Sequence, residues 1–248
     1  MQLSPSRYQP ESEEMLRSKS LTRGIAVAIL ACASLAAPAW AAERTVLESS
    51  SDNWRSSLQT FSKENFKHPA WGYAHSLRIY NLAKLLAQQD KKGIDDDVLF
   101  AAAMMHDIAA FPKWAVADKD HADRAVELLP ALLETAGFPK AKIPSVLEVV
   151  RTHMFDRKPV STEAIYLHDA DALDWLGAVG AFRLIAIIEV GDAQPNAQAA
   201  LGLLQQRLAQ VPAGVASPAG KKEAKIRARS LKRFLEELRS MSGNLEQL

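Results

Sequence analysis

From about residue 42 onward, apolar residues return every three or four positions, and no stretch alternates strictly between apolar and polar. That period belongs to helices packed on a core, not to strands. Val46 to about Phe66 reads as a polar, amphipathic opening helix. Pro69 and Gly72 then punctuate the entry to a helix at roughly Tyr73–Gln89, striped by Leu77, Tyr80, Leu82, Leu85 and Leu86. Lys91-Lys92-Gly93 makes a turn. Asp95, Asp96 and Asp97 follow, at the start of the next helix, where they suit its positive end. That helix carries the apolar run Phe100 to Met105. Further helices are expected at about 121–136, 141–153, 161–168, 172–190, 196–210 and 218–241, with Pro130 breaking or kinking the first of them. The closing helix carries Ile226, Leu231, Phe234, Leu235 and Leu238 on one side, and its basic side reads as a solvated outer face. The fold class is all-α.

The N-terminus follows another pattern. Arg17, Lys19 and Arg23 precede an uncharged run from Gly24 to Ala37, and Ala39-Trp40-Ala41 follows. A basic segment, a short apolar segment and an Ala-x-Ala end make a cleaved secretory signal over residues 1–41. The run is short for a membrane span, which needs about 20 residues. An uncleaved N-terminal anchor is the alternative, and Ile29 to Cys32 gives a poorer lipoprotein reading. Translation from Met15 would shorten the long polar lead. The expected organisation is therefore the signal, an N-terminal helical extension at 42–68, and one domain at 69–248. The expected location is the periplasm or the exterior.

The 248 residues carry 30 basic and 29 acidic side chains. Without residues 1–41 each count falls to 26, so bulk charge gives no reason to expect nucleic acid. The single cysteine, Cys32, falls in the signal, so the remaining chain has no disulfide and must rely on its core.

The apolar run ends in Met105-His106-Asp107-Ile108, where two metal-capable side chains sit at the end of a core helix and need partners. His75 stands near the start of the preceding helix. From His75 to Gln89 is about 21 Å of helix, and from Asp95 back to His106 about 17 Å, at about 1.5 Å per residue. A short turn makes the two helices antiparallel neighbours, so His75 and His106-Asp107 come level at one end of the hairpin. A further acidic group, Asp169-Ala170-Asp171-Ala172-Leu173-Asp174, follows His168. Asp171 there reads as an N-cap with Asp174 in the first turn, which does not exclude a ligand, because a residue at a helix start can point into a cleft.

The ordered set of His75, His106-Asp107 and Asp169 to Asp174, with Gly177-Ala178-Val179-Gly180, Arg183 and a closing helix, resembles the HD-domain superfamily of metal-dependent phosphohydrolases. It looks most like a bacterial branch that includes nucleotide pyrophosphohydrolases. The resemblance covers about Pro69 to Ser240. It implies an all-α HD-domain bundle in which His75, His106, Asp107 and Asp171 bind one divalent metal. The secretory signal and His168 depart from what that branch leads one to expect.

Two imidazoles and two carboxylates suit Mn, Fe, Co, Ni, Zn or Mg and do not choose among them. Such an ion lowers the pKa of water and polarises a phosphoryl oxygen, with Asp107 also orienting the attacking water. Arg78, Lys119, Arg151 and Arg183 are candidate clamps for phosphate. His121 and His153 are either substrate contacts, His121 as a catalytic residue, or ligands of a second metal, which would favour phosphodiester cleavage. The expected partner is a small phosphorylated molecule such as a nucleotide, with no nucleic acid and no membrane after signal cleavage. The reading from another class is a non-catalytic metal- or nucleotide-binding module.

Overall fold

The computed structural model describes residues 53–190 and 196–247. The signal, and residues 46–52 of the expected opening helix, lie outside the described residues. The described residues form helices α1 (Asn53–Asn65), α2 (Tyr73–Gln89), α3 (Asp96–Met105), α4 (His121–Ala136), α5 (Ile143–Arg151), α6 (Thr162–Leu173), α7 (Gly177–Val190), α8 (Ala197–Gly214) and α9 (Pro218–Met241). Single 3-10 turns stand at Ile108–Ala110 and Lys140–Lys142, and no strand occurs among the described residues.

The bundle is built round α3. Every residue from Val98 to Met105 is buried, because α1, α2, α5 and α6 pack against it. A helix apolar on all sides belongs in the centre. Its start is fixed electrostatically. Asp95 caps it by accepting from the Asp97 and Val98 backbone N–H groups, and Arg55, Lys84 and Lys142 pair with the acidic first turn. The hairpin of α2 and α3 forms as the sequence predicts, and α6 lies along α2. Helices α7, α8 and α9 pack on one another, and α8 and α9 also pack on α6.

The first correction removes the break that was one of the two outcomes expected at Pro130. Pro130 lies inside α4 and does not end it. Ala122, Ala125, Leu129 and Leu133 bury one face on both sides of the proline, and that packing outweighs the lost hydrogen bond. Likewise α8 runs through Pro212 to Gly214. The second correction concerns the acidic group. Residues 169–173 do not open a helix. They form the last turns of α6, with Asp174 as its C-cap. Gly177, at φ 71°, makes the turn before α7. Asp169 is buried and accepts the backbone N–H groups of Ala216 and Ser217 ahead of α9, so α6 is tied to the closing helix.

Candidate metal centre

Five elements bring their side chains to one place. His75 comes from the first turn of α2, His106 and Asp107 from the end of α3, and His121 from the start of α4. His153 follows α5, and Asp171 comes from the last turn of α6. Donor atoms within 4.8 Å of one another fall into three overlapping groups: His75, His106 and Asp107; His106, His153 and Asp171; Asp107, His121 and His153.

Hydrogen bonds set the tautomers of three imidazoles. His106 Nδ1 donates to the Ala103 carbonyl at 3.0 Å, and His153 Nδ1 to the Val150 carbonyl at 2.6 Å. His75 Nδ1 lies 2.8 Å from Asp174 Oδ2. These partners only accept when charged or carbonyl, so each Nδ1 carries the proton and each Nε2 presents a lone pair. All three Nε2 atoms are buried without a hydrogen-bond partner. They face carboxylate oxygens instead: His106 Nε2 to Asp107 Oδ2 at 3.0 Å, His75 Nε2 to Asp171 Oδ1 at 3.2 Å and to Asp107 Oδ2 at 3.6 Å. Lone pairs facing carboxylates repel unless a cation or shared protons lie between them. Two ligands about 2.1 Å from one ion, at right angles, are about 3 Å apart. The donor set fits a divalent ion.

Without an ion, protons take its part. Burial opposes the charge on Asp107, but the imidazoles of His106, His121 and His153 around it hold its carboxyl well below the usual range. Burial also opposes charge on Asp171, which the His75 imidazole beside it nevertheless brings down to about 2. Burial and the Arg183 charge push His75 down, yet Asp171 and Asp174 leave it raised overall. Asp174 is 2% exposed and lies well below its ordinary value. Burial is outweighed there by His75, Arg78 and Arg183.

Asp107 divides its oxygens. Oδ2 faces His75 and His106, whereas Oδ1 lies 3.5 Å from His121 Nε2 and 3.7 Å from His153 Nε2. Above this edge opens a cavity of about 310 Å³. Its lining includes His121, Trp71, Phe155, Trp175, Arg183 and Arg207.

The expected clamps separate. Arg183 lines the cavity, buried, with its guanidinium 3.7 Å over the Trp175 ring. Arg78 is turned onto Asp174, at 2.8 and 3.1 Å, so its fork holds a carboxylate. Lys119 pairs with Glu127 and is not part of the cavity lining. Arg151 is exposed. His168 is buried beside Asp169, outside the three donor groups. Two side chains at the site were given no role in it from the sequence. Asp174 was visible one helical turn beyond Asp171, but its hold on His75 depends on α6 running through that turn. Arg207 lies in a polar stretch of α8 with no motif round it.

The HD domain family model matches residues 72–176. A comparison with curated proteins finds no match. Among solved structures, Bacillus subtilis YpgQ in complex with ADP is similar, with a TM-score of 0.59 and 20% identity over 75% of this chain and 94% of that one. An HD-superfamily hydrolase from Bacillus thuringiensis gives 0.56 and 23% over 74% and 94%. A predicted HD superfamily hydrolase from an uncultured Thermotogales bacterium gives 0.53 and 24% over 75% and 90%. The all-α architecture and the buried His/Asp cluster agree with that match: residues 72–176 match the HD domain, and the chain has the fold of the HD-superfamily hydrolases.

Proposed function

We propose that the protein is a divalent-metal-dependent phosphohydrolase acting on a phosphate ester or anhydride of a small molecule, a nucleotide being the favoured class. One observation carries the reading. Three buried imidazole Nε2 lone pairs converge with two carboxylates and have no donor to satisfy them. His75, His106, Asp107 and Asp171 would hold the ion. An ion so held supplies a nucleophile from water and polarises a phosphoryl oxygen. The chain's own residues do the rest. Asp107 aligns the nucleophile, His121 at the cavity edge passes a proton, and Arg183 adds positive charge beside the substrate's oxygens. Trp71, Phe155 and Trp175 give a flat organic group apolar walls in a cavity within the usual range for small ligands. The ADP held by YpgQ supports the nucleotide class.

The division of Asp107 between two pairs of imidazoles favours a second reading. Asp107, His121 and His153 would hold a second ion, and the chemistry it supplied would favour phosphodiester cleavage. Calorimetric titration of the metal-free protein decides between them. Two sites in the parent and one in His121→Ala establish the pair, while one site in both leaves His121 as a substrate contact.

The activity is tested by screening the purified chain with each divalent metal against nucleotides, phosphomonoesters and phosphodiesters. Metal-dependent release of phosphate, pyrophosphate or alcohol is expected. A loaded protein that binds nucleotides and cleaves nothing would establish the non-catalytic module instead. We also propose export, from the basic and apolar segments ending at Ala39-Trp40-Ala41. N-terminal sequencing of periplasmic protein should begin near Ala42, and an intact cytoplasmic chain would refute it.

A further inference from the structure

Two guanidiniums line the cavity, and they differ in what they already hold. Arg183 Nε donates to the Ala70 carbonyl at 2.6 Å, and its NH1, buried without a hydrogen bond, is within ion-pair distance of Asp174, at 3.0 Å. That cation is engaged by the protein. Arg207 is not. Its Nε is buried and has no hydrogen-bond partner among the described residues, and no carboxylate lies within ion-pair distance of it there. Its guanidinium stands 5.5 Å from the centre of the Trp175 ring, at the edge of cation–π range. Burial pushes its pKa down, and the Asp171 charge offsets this only in part.

A bland account would have Arg207 cover Trp175 with its stem and keep its head in water, as surface arginines do. The buried Nε argues against that. A buried N–H with no protein acceptor costs free energy, and buried polar groups without partners are rare. A guanidinium has five donors and no acceptor, so the missing partner must accept. Its planar fork matches two oxygens of a phosphoryl group. Arg207 also shares the cavity with Asp107 and Asp171, so a ligand reaching the candidate metal centre passes within its field.

We propose that Arg207 is the substrate's anion-binding residue, donating from α8 to phosphoryl oxygens of a ligand seated at the His/Asp cluster. The proposal rests on the phosphohydrolase reading and deepens it. The residue comes from an element beyond residues 72–176, so this clamp is supplied from outside the matched domain. Arg183, held by Asp174 and Ala70, keeps Trp175 in place beside it.

The test is calorimetric titration of inorganic phosphate into the metal-loaded full chain, with metal content and thermal melting measured alongside. Arg207→Gln is expected to weaken phosphate binding by about tenfold or more. Metal per chain should be unchanged. Arg207→Lys restores the charge without the fork and should fall between the two. Lys140→Gln, which removes an exposed cation paired with Glu134, should bind as the parent does. Equal affinity in parent and Arg207→Gln would overturn the proposal and leave the hydrolase reading standing. Loss of metal in Arg207→Gln would also overturn it, because a clamp does not hold the ligand set. A metal-loaded parent that binds no phosphate would overturn both readings. If Arg207→Gln fails to fold, Arg207→Lys decides: affinity equal to the parent's refutes the proposal.

Discussion

Asp174 offers the sharpest test of how the site is held, because it touches three partners and is not itself among the ligand groups. Its side chain is 2% exposed. It takes His75 Nδ1 at 2.8 Å, both Arg78 contacts, and Arg183 NH1 at 3.0 Å. In Asp174→Ala, Arg183 becomes a buried cation without its carboxylate, which costs about 3–5 kcal/mol. Arg78 is more exposed, so losing its pair adds only about 0–1 kcal/mol. His75 loses the acceptor that fixes its tautomer. A change of that kind beside a metal-binding histidine weakens metal affinity by roughly 10–100-fold. Asp174→Asn keeps an acceptor for Nδ1 and removes the charge, so it should be milder in stability while still weakening the metal. Urea unfolding in chelator measures the first quantity, with m unchanged as the control. Competition with a chromophoric chelator measures the second. An Asp174→Ala protein within about 1 kcal/mol of the parent, with unchanged metal affinity, would refute the reasoning.

His106→Ala and Asp107→Ala should lose metal, measured as ions per chain, whereas His168→Ala should keep it because that imidazole faces Asp169. The pH dependence should change sign with metal. Asp107, Asp171 and Asp174 are lowered, so their stabilisation of the metal-free protein is present above about pH 4 and is lost as pH falls through their lowered values. His75 is raised, so its contribution is complete below about 6.5 and is lost as pH rises through the raised value. Metal binding needs that proton gone, so in the loaded protein stability should instead grow over the same rise; identical urea-unfolding profiles with and without chelator would contradict this. Gly180→Ala should destabilise by about 1–3 kcal/mol and shift Trp175, read by thermal melting and tryptophan emission, since a Cβ there would lie 2.2 Å from the Trp175 carbonyl carbon.

Much of the architecture was legible because one period runs through the whole chain. Helix α2 begins and ends where Gly72 and the stripe ending at Gln89 put it, and α9 spans Pro218–Met241 as expected. The hairpin arithmetic that set His75 level with His106-Asp107 needed only helical rise and a short turn. The corrections share a physical cause. A break at Pro130 and a helix start at the acidic group of α6 were read from local preference, and in both cases tertiary contact overrode it. Asp169 shows how. A buried carboxylate in mid-helix is unfavourable until the N–H groups of Ala216 and Ser217 arrive from 47 and 48 residues away. Arg207 was invisible for the same reason: its role depends on which wall α8 supplies.

The ligand set shows how helix ends and metal readiness can be the same feature. An α-helix leaves its last carbonyls without intrahelical donors. His106 is the C-cap of α3, and His153 follows the end of α5. Each imidazole turns its Nδ1 back to the carbonyl three residues earlier. One hydrogen bond thus satisfies an orphan acceptor, fixes the ring and leaves Nε2 basic. His75 cannot do this, because it lies at the start of a helix, where the free groups are N–H donors. It needs an acceptor from elsewhere, and Asp174, at the end of α6, provides it. That asymmetry makes a distinct demand on the fold. His106 and His153 carry their orienting groups on their own helices, so they should keep the right tautomer whenever those helices form. His75 depends on α6 docking against α2, and loosening that contact should remove His75 from the ligand set before the other two.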